Sequence, residues 1–289
     1  MRGAIEVVMN SGLGNAMFQY AIGRAMAVRH NRPLILDTSL LFQSTEWRYD
    51  LFRCFRLGAH RVRELPYWLW RARQKGFTRL DRIGLAPVRW VDESGLLFDR
   101  EVLEVQRPCI LTGYWQSERY FESAERQLRE EFTIVGEQDP RSAACQARIQ
   151  AVPSIGLHVR RGDYVVSAGE EDFHGTCSLD YYRAALALIR PRLDANAELF
   201  VFSDDIAWAR EFIRFDLPTT FVDWNAERNY EDLRLMSACR ALVAANSTFS
   251  WWAGWLNPRP DKIVVLPRRW YRTPDAASDL PGAAWAIAI

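Results

Sequence analysis

The sequence has few cysteines, and none of them are closely paired. Its five cysteines are scattered over 289 residues, and no C-x-x-C spacing occurs. Such pairs are typical of zinc sites and redox motifs, whereas an even number of cysteines in a short secreted chain is typical of disulfide frameworks. The pattern therefore predicts neither a structural zinc site nor a disulfide framework.

Long apolar segments are also missing. No apolar run approaches the roughly 20 residues that a membrane-spanning helix requires. Residues 1–10 lack the apolar core of a secretory signal. We therefore expect a protein that stays in the compartment where it is made.

Excess charge of either sign is absent from the chain as a whole. The 37 Lys and Arg residues against 36 Asp and Glu give a net charge of +1, which argues against a generally basic nucleic-acid binder. Residues 61–89 differ, because they hold seven arginines and one lysine but two acidic residues, with Trp68, Trp70 and Trp90 in or beside them. This mixture suits an anionic membrane surface or a phosphate-linked lipid. The alternative is a solvated helical face whose tryptophans pack in the core.

Two stretches in which strand and helix signals alternate predict an α/β protein. The chain opens with a strand at residues 4–9, a helix at 16–30 and a strand at 34–36. The alternation resumes after Pro153 and continues to a last strand at 263–266. Such alternation favours parallel sheets of the doubly wound type.

The length of the chain is sufficient for two domains. We predict a first domain over residues 1–150 and a second over 151–289, with residues 123–150 forming a polar helical link. Residues 51–110 show no regular pattern. The last residues of the chain could pack back on the first domain.

The most informative motif follows a predicted buried strand at residues 151–157. It places His158, Arg160, Arg161 and Asp163 together. Ligands bind at the carboxyl ends of strands in open α/β sheets, and arginine offers a planar fork of donors that matches phosphate oxygens. The motif therefore favours a bound nucleotide diphosphate. The alternative is a strand end with a solvated arginine pair and an aspartate turn.

Two further clusters lie between a predicted strand and the start of a helix. Gly12, Gly14 and Asn15 would allow close approach to an anion or a sugar hydroxyl. The third glycine of the dinucleotide fingerprint is missing, and a plain tight turn is the alternative. Ser247 and Thr248 open a tryptophan-rich helix, where hydroxyls and unpaired N–H groups bind phosphate well. We expect the tryptophans behind them to pack in the core.

The adjacent carboxylates of Asp204 and Asp205 follow another predicted strand and raise the question of a metal. Consecutive side chains of an extended backbone point to opposite faces, and the D-x-D spacing of metal-dependent sugar transferases does not occur in the sequence. One carboxylate could instead accept two donors from a guanine edge, while the other caps the next helix. The alternative is that both are cap or turn residues. No metal site is predicted.

Seven segments, spread from residue 12 to the last predicted strand, carry a resemblance to a known family. They are Gly12–Ala21, Thr112–Glu118, His158–Val165, His174–Tyr182, Phe202–Asp205, Tyr230–Ser237 and Asn246–Asn257. In this order they resemble the α-1,2-fucosyltransferases of glycosyltransferase family 11, and the HxRRGD and SxFSWW blocks are the most specific. Two positions depart from the family pattern. Ala16 stands where Gln is usual, which could loosen contacts around the donor sugar or acceptor, and Trp224 stands where His is frequent, which could alter acceptor preference.

The resemblance implies a GT-B-like architecture, in which two Rossmann-like domains face each other across a cleft. The C-terminal domain would hold GDP-fucose, and the N-terminal domain would hold most of the acceptor site. The implied reaction is inverting and needs neither metal nor cofactor. It transfers L-fucose from GDP-β-L-fucose to the 2-hydroxyl of a terminal β-galactoside. The acceptor would be a β-galactoside or a lipid-linked oligosaccharide. The short length and the lack of a membrane anchor in the sequence suggest a bacterial cytoplasmic enzyme that acts in surface polysaccharide synthesis, with peripheral contact at the inner face of the membrane through residues 61–89 left open.

The same resemblance assigns roles to the motif residues. Arg160 would bind the pyrophosphate, and Arg161 would either join it or be structural. His158 and Asp204 would face the guanine. The remaining donor-binding candidates, which line the phosphate or the fucose, are Gly14, Asn15, Ser247, Thr248 and Phe249.

Inversion requires a group that takes the proton of the acceptor hydroxyl. Asp163 is the first candidate and His174 the second, and Glu170, Glu171 and Asp172 lie close by in the sequence. A sufficiently dissociative transition state would reduce the need for a strong base.

Other functions remain compatible with the sequence. One is a fucosyltransferase of α-1,6 or O-linked specificity, since such enzymes share the arginine motif. Another is a sugar-nucleotide-binding protein without catalysis, to which the change at Ala16 gives slight support. A metal-dependent GT-A enzyme is the least supported, because D-x-D is missing.

Overall fold

The protein consists of two compact units, Met1–Val135 and Gly136–Ile289. The computed structural model describes residues 3–41, 50–161, 175–273 and 276–289. Each unit contains one parallel sheet with helices on both faces. In chain order the first unit contains β1 (Ile5–Val8), α1 (Leu13–Arg29), β2 (Leu34–Asp37), α2 (Asp50–Cys54), β3 (Arg61–Arg63), α3 (Tyr67–Arg82), β4 (Arg89–Asp92), α4 (Arg100–Leu103), β5 (Cys109–Thr112) and α5 (Glu125–Glu131). The second unit contains α6 (Pro140–Ala151), β6 (Ser154–Val159), α7 (Leu179–Ile189), β7 (Glu198–Ser203), α8 (Ile206–Phe212), β8 (Thr219–Val222), α9 (Tyr230–Ala238), β9 (Ala241–Val243), α10 (Thr248–Leu256), β10 (Ile263–Leu266) and β11 (Ile287–Ala288).

The sheet of the first unit has the order β3-β2-β1-β5-β4, and all its strand pairs are parallel. Because side chains alternate along a strand, the central strand β1 serves both faces. On one face Val7 packs so closely against α1 that a Cβ on Gly23 would lie 2.4 Å from its Cγ2 atom. On the other face Val8 packs with Trp70 of α3 and with Trp90.

A buried ion cluster ties α3 to the sheet. Glu6 of β1 accepts hydrogen bonds from Arg63 of β3 and from Arg73 of α3, the latter at 2.6 and 2.7 Å. Arg73 also lies 3.3 Å from the carboxylate of Asp37. Burial raises the pKa of Glu6 above its ordinary value, although both arginines act to lower it. Both arginines therefore oppose the effect of burial, and losing either would be costly because it would leave a buried carboxylate with fewer partners.

The structure corrects the expectation of an irregular region at residues 51–110, which contains three helices and two strands. The helix α3 begins directly after Pro66 and ends before Gly84, whose φ of +72° suits the left-handed position that follows many helices. Leu85 donates its N–H to the carbonyl of Leu80 and closes that end. The helical pattern was hidden because a charged residue, Arg73, occupies the buried face.

The sheet of the second unit has the order β11-β10-β9-β6-β7-β8 and is also parallel. From β6 the chain proceeds to β7 and β8 on one side, and then to β9, β10 and β11 on the other. The direction in which strands are added therefore reverses between β6 and β9. Doubly wound sheets bind their ligands at such a reversal. The α/β class with two domains that the sequence predicts is confirmed.

The helix α6 belongs to the second unit. Its Ser142 hydroxyl donates to the side-chain oxygen of Asn225 at 3.0 Å and accepts from the indole of Trp224 at 3.0 Å. Arg228 forms an ion pair with Asp139 at the start of the same helix. The division between the units therefore precedes α6, whereas the sequence placed it after residue 150. The last strand, β11, pairs with β10 and extends the sheet beyond the strand expected to close it.

The helix α10 buries three tryptophans in the second unit. Trp251, Trp252 and Trp255 are at most 2% exposed, and the ring centroid of Trp252 lies 5.1 Å from each of the other two. The indole of Trp251 donates to the carbonyl of Leu280 at 3.1 Å. The prediction that these tryptophans pack in the core is confirmed. In the part of the chain that the structure describes, no helix is long and apolar enough to span a membrane.

Candidate active site

The polar residues that follow β6 and β7 meet at one edge of the second sheet. The strands are paired so that His158 lies opposite Phe202 and Val159 lies opposite Ser203. The arginine pair and the aspartate pair therefore leave the sheet side by side. The strand β9 pairs with β6 on the other side and leads into α10 at the same edge.

Asp204 holds both arginines that follow β6. Its carboxylate accepts from Arg160 Nε at 3.1 Å and from the backbone N–H of Arg161 at 2.9 Å. Both side chains are partly exposed. This geometry fixes a guanidinium at the carboxyl end of the central strand. The contact of Asp204 with guanine stays a prediction.

Arg161 is directed toward α8. Its guanidinium carbon lies 4.2 Å from the ring centroid of Trp208, and its Nε lies 3.8 Å from the carboxylate of Asp205. Asp205 in turn caps α8 by accepting from the backbone N–H of Trp208 at 3.0 Å. One aspartate of the pair therefore caps the next helix, as predicted. These contacts favour the structural alternative for Arg161.

His158 is buried beside the start of α10. His158 is 5% exposed, and its ring centroid lies 5.9 Å from that of Phe249. Among the described residues its Nδ1 has no hydrogen-bond partner. Burial, and then the charge of Arg160, lowers the pKa of His158 to about 3. The imidazole is therefore neutral near pH 7 and is suited to hydrogen bonding rather than to carrying charge.

This burial makes folding stability depend on pH through His158. Because an unfolded histidine has a pKa of about 6.5, the unfolded chain binds the extra proton between about pH 6.5 and 3, and stability falls as the pH drops below about 6.5. We expect the wild type to lose about 2 kcal/mol more than His158→Gln between about pH 7.5 and pH 5. Urea unfolding at the two pH values measures this difference. Equal losses in the two proteins would show that His158 titrates normally.

The start of α10 presents hydroxyl and amide groups at the same edge. Ser247 is buried at the N-cap position, but its side chain accepts no hydrogen bond from the first turn. Thr248 and Phe249 are half-buried. The side-chain amide of Asn246 donates to the carbonyls of Gly175 and Trp270 at 3.1 and 3.2 Å, which fixes the segment before the helix. A helix start without a side-chain cap is suited to an anion.

A cavity of about 380 Å³ lies in the second unit beside these groups. It is lined by Asn246, by Cys177 and Tyr181 near the start of α7, and by Arg269 and Arg272 after β10. The volume falls in the range of ligand pockets. Arg269 and Arg272 were not predicted from the sequence, although they follow a predicted strand as the arginine pair after β6 does.

Gly14 and Asn15 lie in the first unit, inside α1 rather than in the turn before it. Asn15 donates to Ser11 Oγ at 2.9 Å and accepts from the side chain of Gln116 at 2.9 Å. A Cβ on Gly12 would meet no atom within 4 Å, so the turn before the helix leaves open space beside its backbone. This amide network and open turn could receive a ligand hydroxyl.

The candidate bases and Trp224 are not among the contacts described above for the candidate site. The candidate bases Asp163 and His174, with residues 170–172, lie outside the described residues, and their role stays a prediction. Trp224, which departs from the family pattern, donates to Ser142 and lies 4.0 Å beneath the guanidinium carbon of Arg141. Within the described residues, no group of three or more His, Cys, Asp or Glu side chains is placed to hold a metal ion.

A comparison with protein families decides the class of enzyme. The model of the family described as glycosyl transferase family 11 matches residues 90–285, which is more than half of the chain. The chain belongs to glycosyltransferase family 11. This family 11 enzyme is 30% identical over 272 residues to the α-1,2-colitosyltransferase of Escherichia coli, covering 90% of each chain. It is also 30% identical over 286 residues to the O-antigen biosynthesis glycosyltransferase WbnK of Escherichia coli, covering 91% of this chain and 93% of WbnK.

Solved structures agree with the fold of this family 11 glycosyltransferase. The fucosyltransferase NodZ from Bradyrhizobium superposes with a TM-score of 0.54 at 17% identity, covering 89% of this chain and 94% of that chain. At this identity the similarity shows the fold alone. The family membership that the motifs predicted is confirmed by the family match and by the relatives.

Proposed function

We propose that this glycosyltransferase transfers L-fucose from GDP-β-L-fucose to the 2-hydroxyl of a terminal β-galactoside, with inversion and without a metal ion. The observation that carries the proposal is the position of Arg160, which Asp204 orients at the carboxyl end of β6. As the bond between fucose and the β-phosphate breaks, positive charge develops on the sugar ring and negative charge on the phosphate. A fixed cation at that phosphate lowers the barrier, because it is oriented before the charge appears.

The remaining donor groups would surround the diphosphate and base. The start of α10, where the Ser247 side chain does not cap the helix, would donate to the phosphates through backbone N–H groups. The neutral imidazole of His158 would hydrogen-bond a polar atom of the guanine without adding charge. Thr248 and Phe249 are at the same helix start and would line the donor. No step in this scheme requires a metal ion or a cofactor.

The acceptor hydroxyl must lose a proton as it attacks the sugar from the opposite face. Asp163 remains the first choice of base and His174 the second, since both follow the β6 arginine motif in the chain. A carboxylate within hydrogen-bond reach of the 2-hydroxyl would take the proton as the new bond forms. Replacement of either residue tests which of them acts.

The α-1,2 linkage is supported by the similarity to the α-1,2-colitosyltransferase, and a role in surface polysaccharide synthesis is supported by the similarity to the O-antigen biosynthesis glycosyltransferase WbnK. The acceptor would then be a lipid-linked oligosaccharide at the cytoplasmic side of the membrane. The colitosyltransferase relative also favours a second donor, GDP-colitose. Colitose is fucose without its 3-hydroxyl, so the two donors differ by one polar group.

The test is release of GDP from GDP-fucose and from GDP-colitose, in excess chelator, with and without lactose as a β-galactoside acceptor. We expect lactose-dependent release of GDP from GDP-fucose. We also expect NMR of the product to show fucose bound to the 2-hydroxyl of the galactose in lactose. Release of GDP from GDP-colitose alone would show that the donor is GDP-colitose and not GDP-fucose. Tight GDP binding without release would favour a different acceptor or a non-catalytic binding protein. Activity that chelator abolishes and manganese restores would contradict the metal-independent mechanism.

A further inference from the structure

Exposed apolar side chains are concentrated on and beside α3. Among the described residues eleven large apolar side chains are exposed, and seven of them lie between residues 62 and 85. Trp68 is 71% exposed, Ile83 66% and Leu85 70%. Apolar side chains scattered singly over a surface need no explanation, but a cluster of this kind marks a site of interaction.

Basic side chains form a stripe on the exposed face of α3 that also carries Trp68. Arg71, Lys75 and Arg79 are spaced by four residues and therefore lie one above the other. All three are exposed, and Arg71 contacts the uncharged side chains of Gln74 and Tyr67. The stripe belongs to a segment, residues 61–89, with eight basic and two acidic residues in a chain whose net charge is +1. We call the exposed apolar side chains of Trp68, Ile83 and Leu85 and the basic side chains of Arg71, Lys75 and Arg79 the α3 surface; Ile83 and Leu85 follow the end of the helix.

The opposite face of α3 explains why this surface is stable without a partner. Trp70 and Phe77 pack in the core cluster of the first unit, and Arg73 points inward to Glu6. Arg63 and Arg73 of the segment thus bind Glu6, whereas Arg71 and Arg79 belong to the exposed stripe. The helix is held to its sheet by its inner face, so its outer face can bind without unfolding.

We propose that the α3 surface docks on a bilayer of anionic phospholipids. The apolar side chains would enter the boundary between headgroups and acyl chains, while the basic stripe would contact the headgroup phosphates. Charge complementarity selects this partner. A second copy of the chain would bring two basic stripes together, which is unfavourable in a twofold contact. A nucleic acid would satisfy the stripe but not the exposed Trp68, Ile83 and Leu85.

The docking surface is independent of the donor and of the reaction. A lipid-linked acceptor requires its enzyme at a membrane surface, whereas lactose is soluble and does not. Vesicle binding and lactose-dependent GDP release therefore fail separately. Loss of activity toward every donor would contradict the proposed function and leave the membrane surface unaffected.

The experiment is co-sedimentation of the full chain with vesicles of phosphatidylethanolamine and phosphatidylglycerol, compared with vesicles of phosphatidylcholine alone. We expect binding to the anionic vesicles only, with a blue shift of tryptophan fluorescence that is lost in Trp68→Ser. Changing Arg71, Lys75 and Arg79 together to Gln should weaken binding roughly 100-fold, at about 1 kcal/mol for each basic residue near the surface.

A matched control removes three exposed arginines elsewhere, with Arg183, Arg190 and Arg192 changed to Gln. This control should bind anionic vesicles as the wild type does, and all variants should keep their activity on lactose. Equal binding to both vesicle types, equal loss in the control, or no binding at all would overturn the proposal. Sedimentation velocity gives a further check, because a dimer that the α3 changes dissociate would assign the surface to a second copy instead.

Discussion

Replacing Arg160 by Ala is expected to lower kcat/KM roughly 100-fold or more, the scale of losing one group that stabilises developing charge. Arg160 lies at the carboxyl end of the central strand and is held by Asp204 through its Nε. The leaving diphosphate would then develop its charge without the fixed cation. Initial rates of GDP release over a range of GDP-fucose and lactose concentrations measure the effect.

The Arg160→Lys variant separates charge from geometry. Lysine keeps the positive charge but lacks the planar fork that can contact Asp204 and a phosphate together. We expect it to recover part of the lost rate and to remain clearly below the wild type. Circular dichroism and unfolding of both variants control for loss of structure. An Arg160→Ala protein with near-normal kcat/KM would remove this residue from its proposed role.

Replacing Trp252 by Ala is expected to lower the free energy of unfolding of the second unit by about 3–5 kcal/mol. Trp252 is fully buried, and its ring lies between those of Trp251 and Trp255. The change removes a large buried apolar surface and leaves a cavity that neighbouring rings cannot fill without leaving their packing positions. Urea unfolding, followed by far-UV circular dichroism and fitted for two units, measures the loss.

Trp68→Ala is the matched control for that experiment. It removes the same side chain from a position that is 71% exposed. We expect its free energy of unfolding to stay within about 0.5 kcal/mol of the wild type. If the two tryptophan variants were destabilised equally, the packing of α10 would not be the source of the stability assigned to Trp252.

The sequence predicted best where local patterns and tertiary structure agree. The strands β6 and β7 are nearly continuous apolar runs because both faces of a parallel sheet are covered. The helix α7 begins where Ser178 accepts from the backbone N–H of Tyr181, a cap that can be read from the sequence. The tryptophans of α10 are large and mainly apolar, so their burial could be predicted from the residue type.

The helix α3 was not predicted because its decisive contact is distant in the sequence. Arg73 interrupts the apolar pattern of the buried face, and it is stable there only because Glu6 lies on the neighbouring strand β1. Nothing local to either residue reveals the partner. The boundary before α6 was missed for a similar reason, since Ser142 finds its partners at Asn225 and Trp224.

The residues of the candidate site could be named from the sequence, but the contacts between their side chains could not. The rule that ligands bind at strand ends selected Arg160 and Asp204 independently. It could not show that the two side chains contact each other, because that requires the register in which Val159 lies opposite Ser203. Arg269 and Arg272 were missed although the same rule applies to them, since no recognisable motif surrounds them.

The carboxylate of Asp204 has a consequence for how tightly a diphosphate can bind. A solvent-exposed arginine carries about 2 kcal/mol of rotamer entropy, which a ligand must remove when it fixes the side chain. Here the contact with Asp204 removes much of that freedom during folding, before any ligand arrives. If Arg160 binds the donor as proposed, the free energy that ordering its side chain would otherwise cost would remain in the complex as affinity. Asp204 would thereby make part of the folding free energy available to donor recognition.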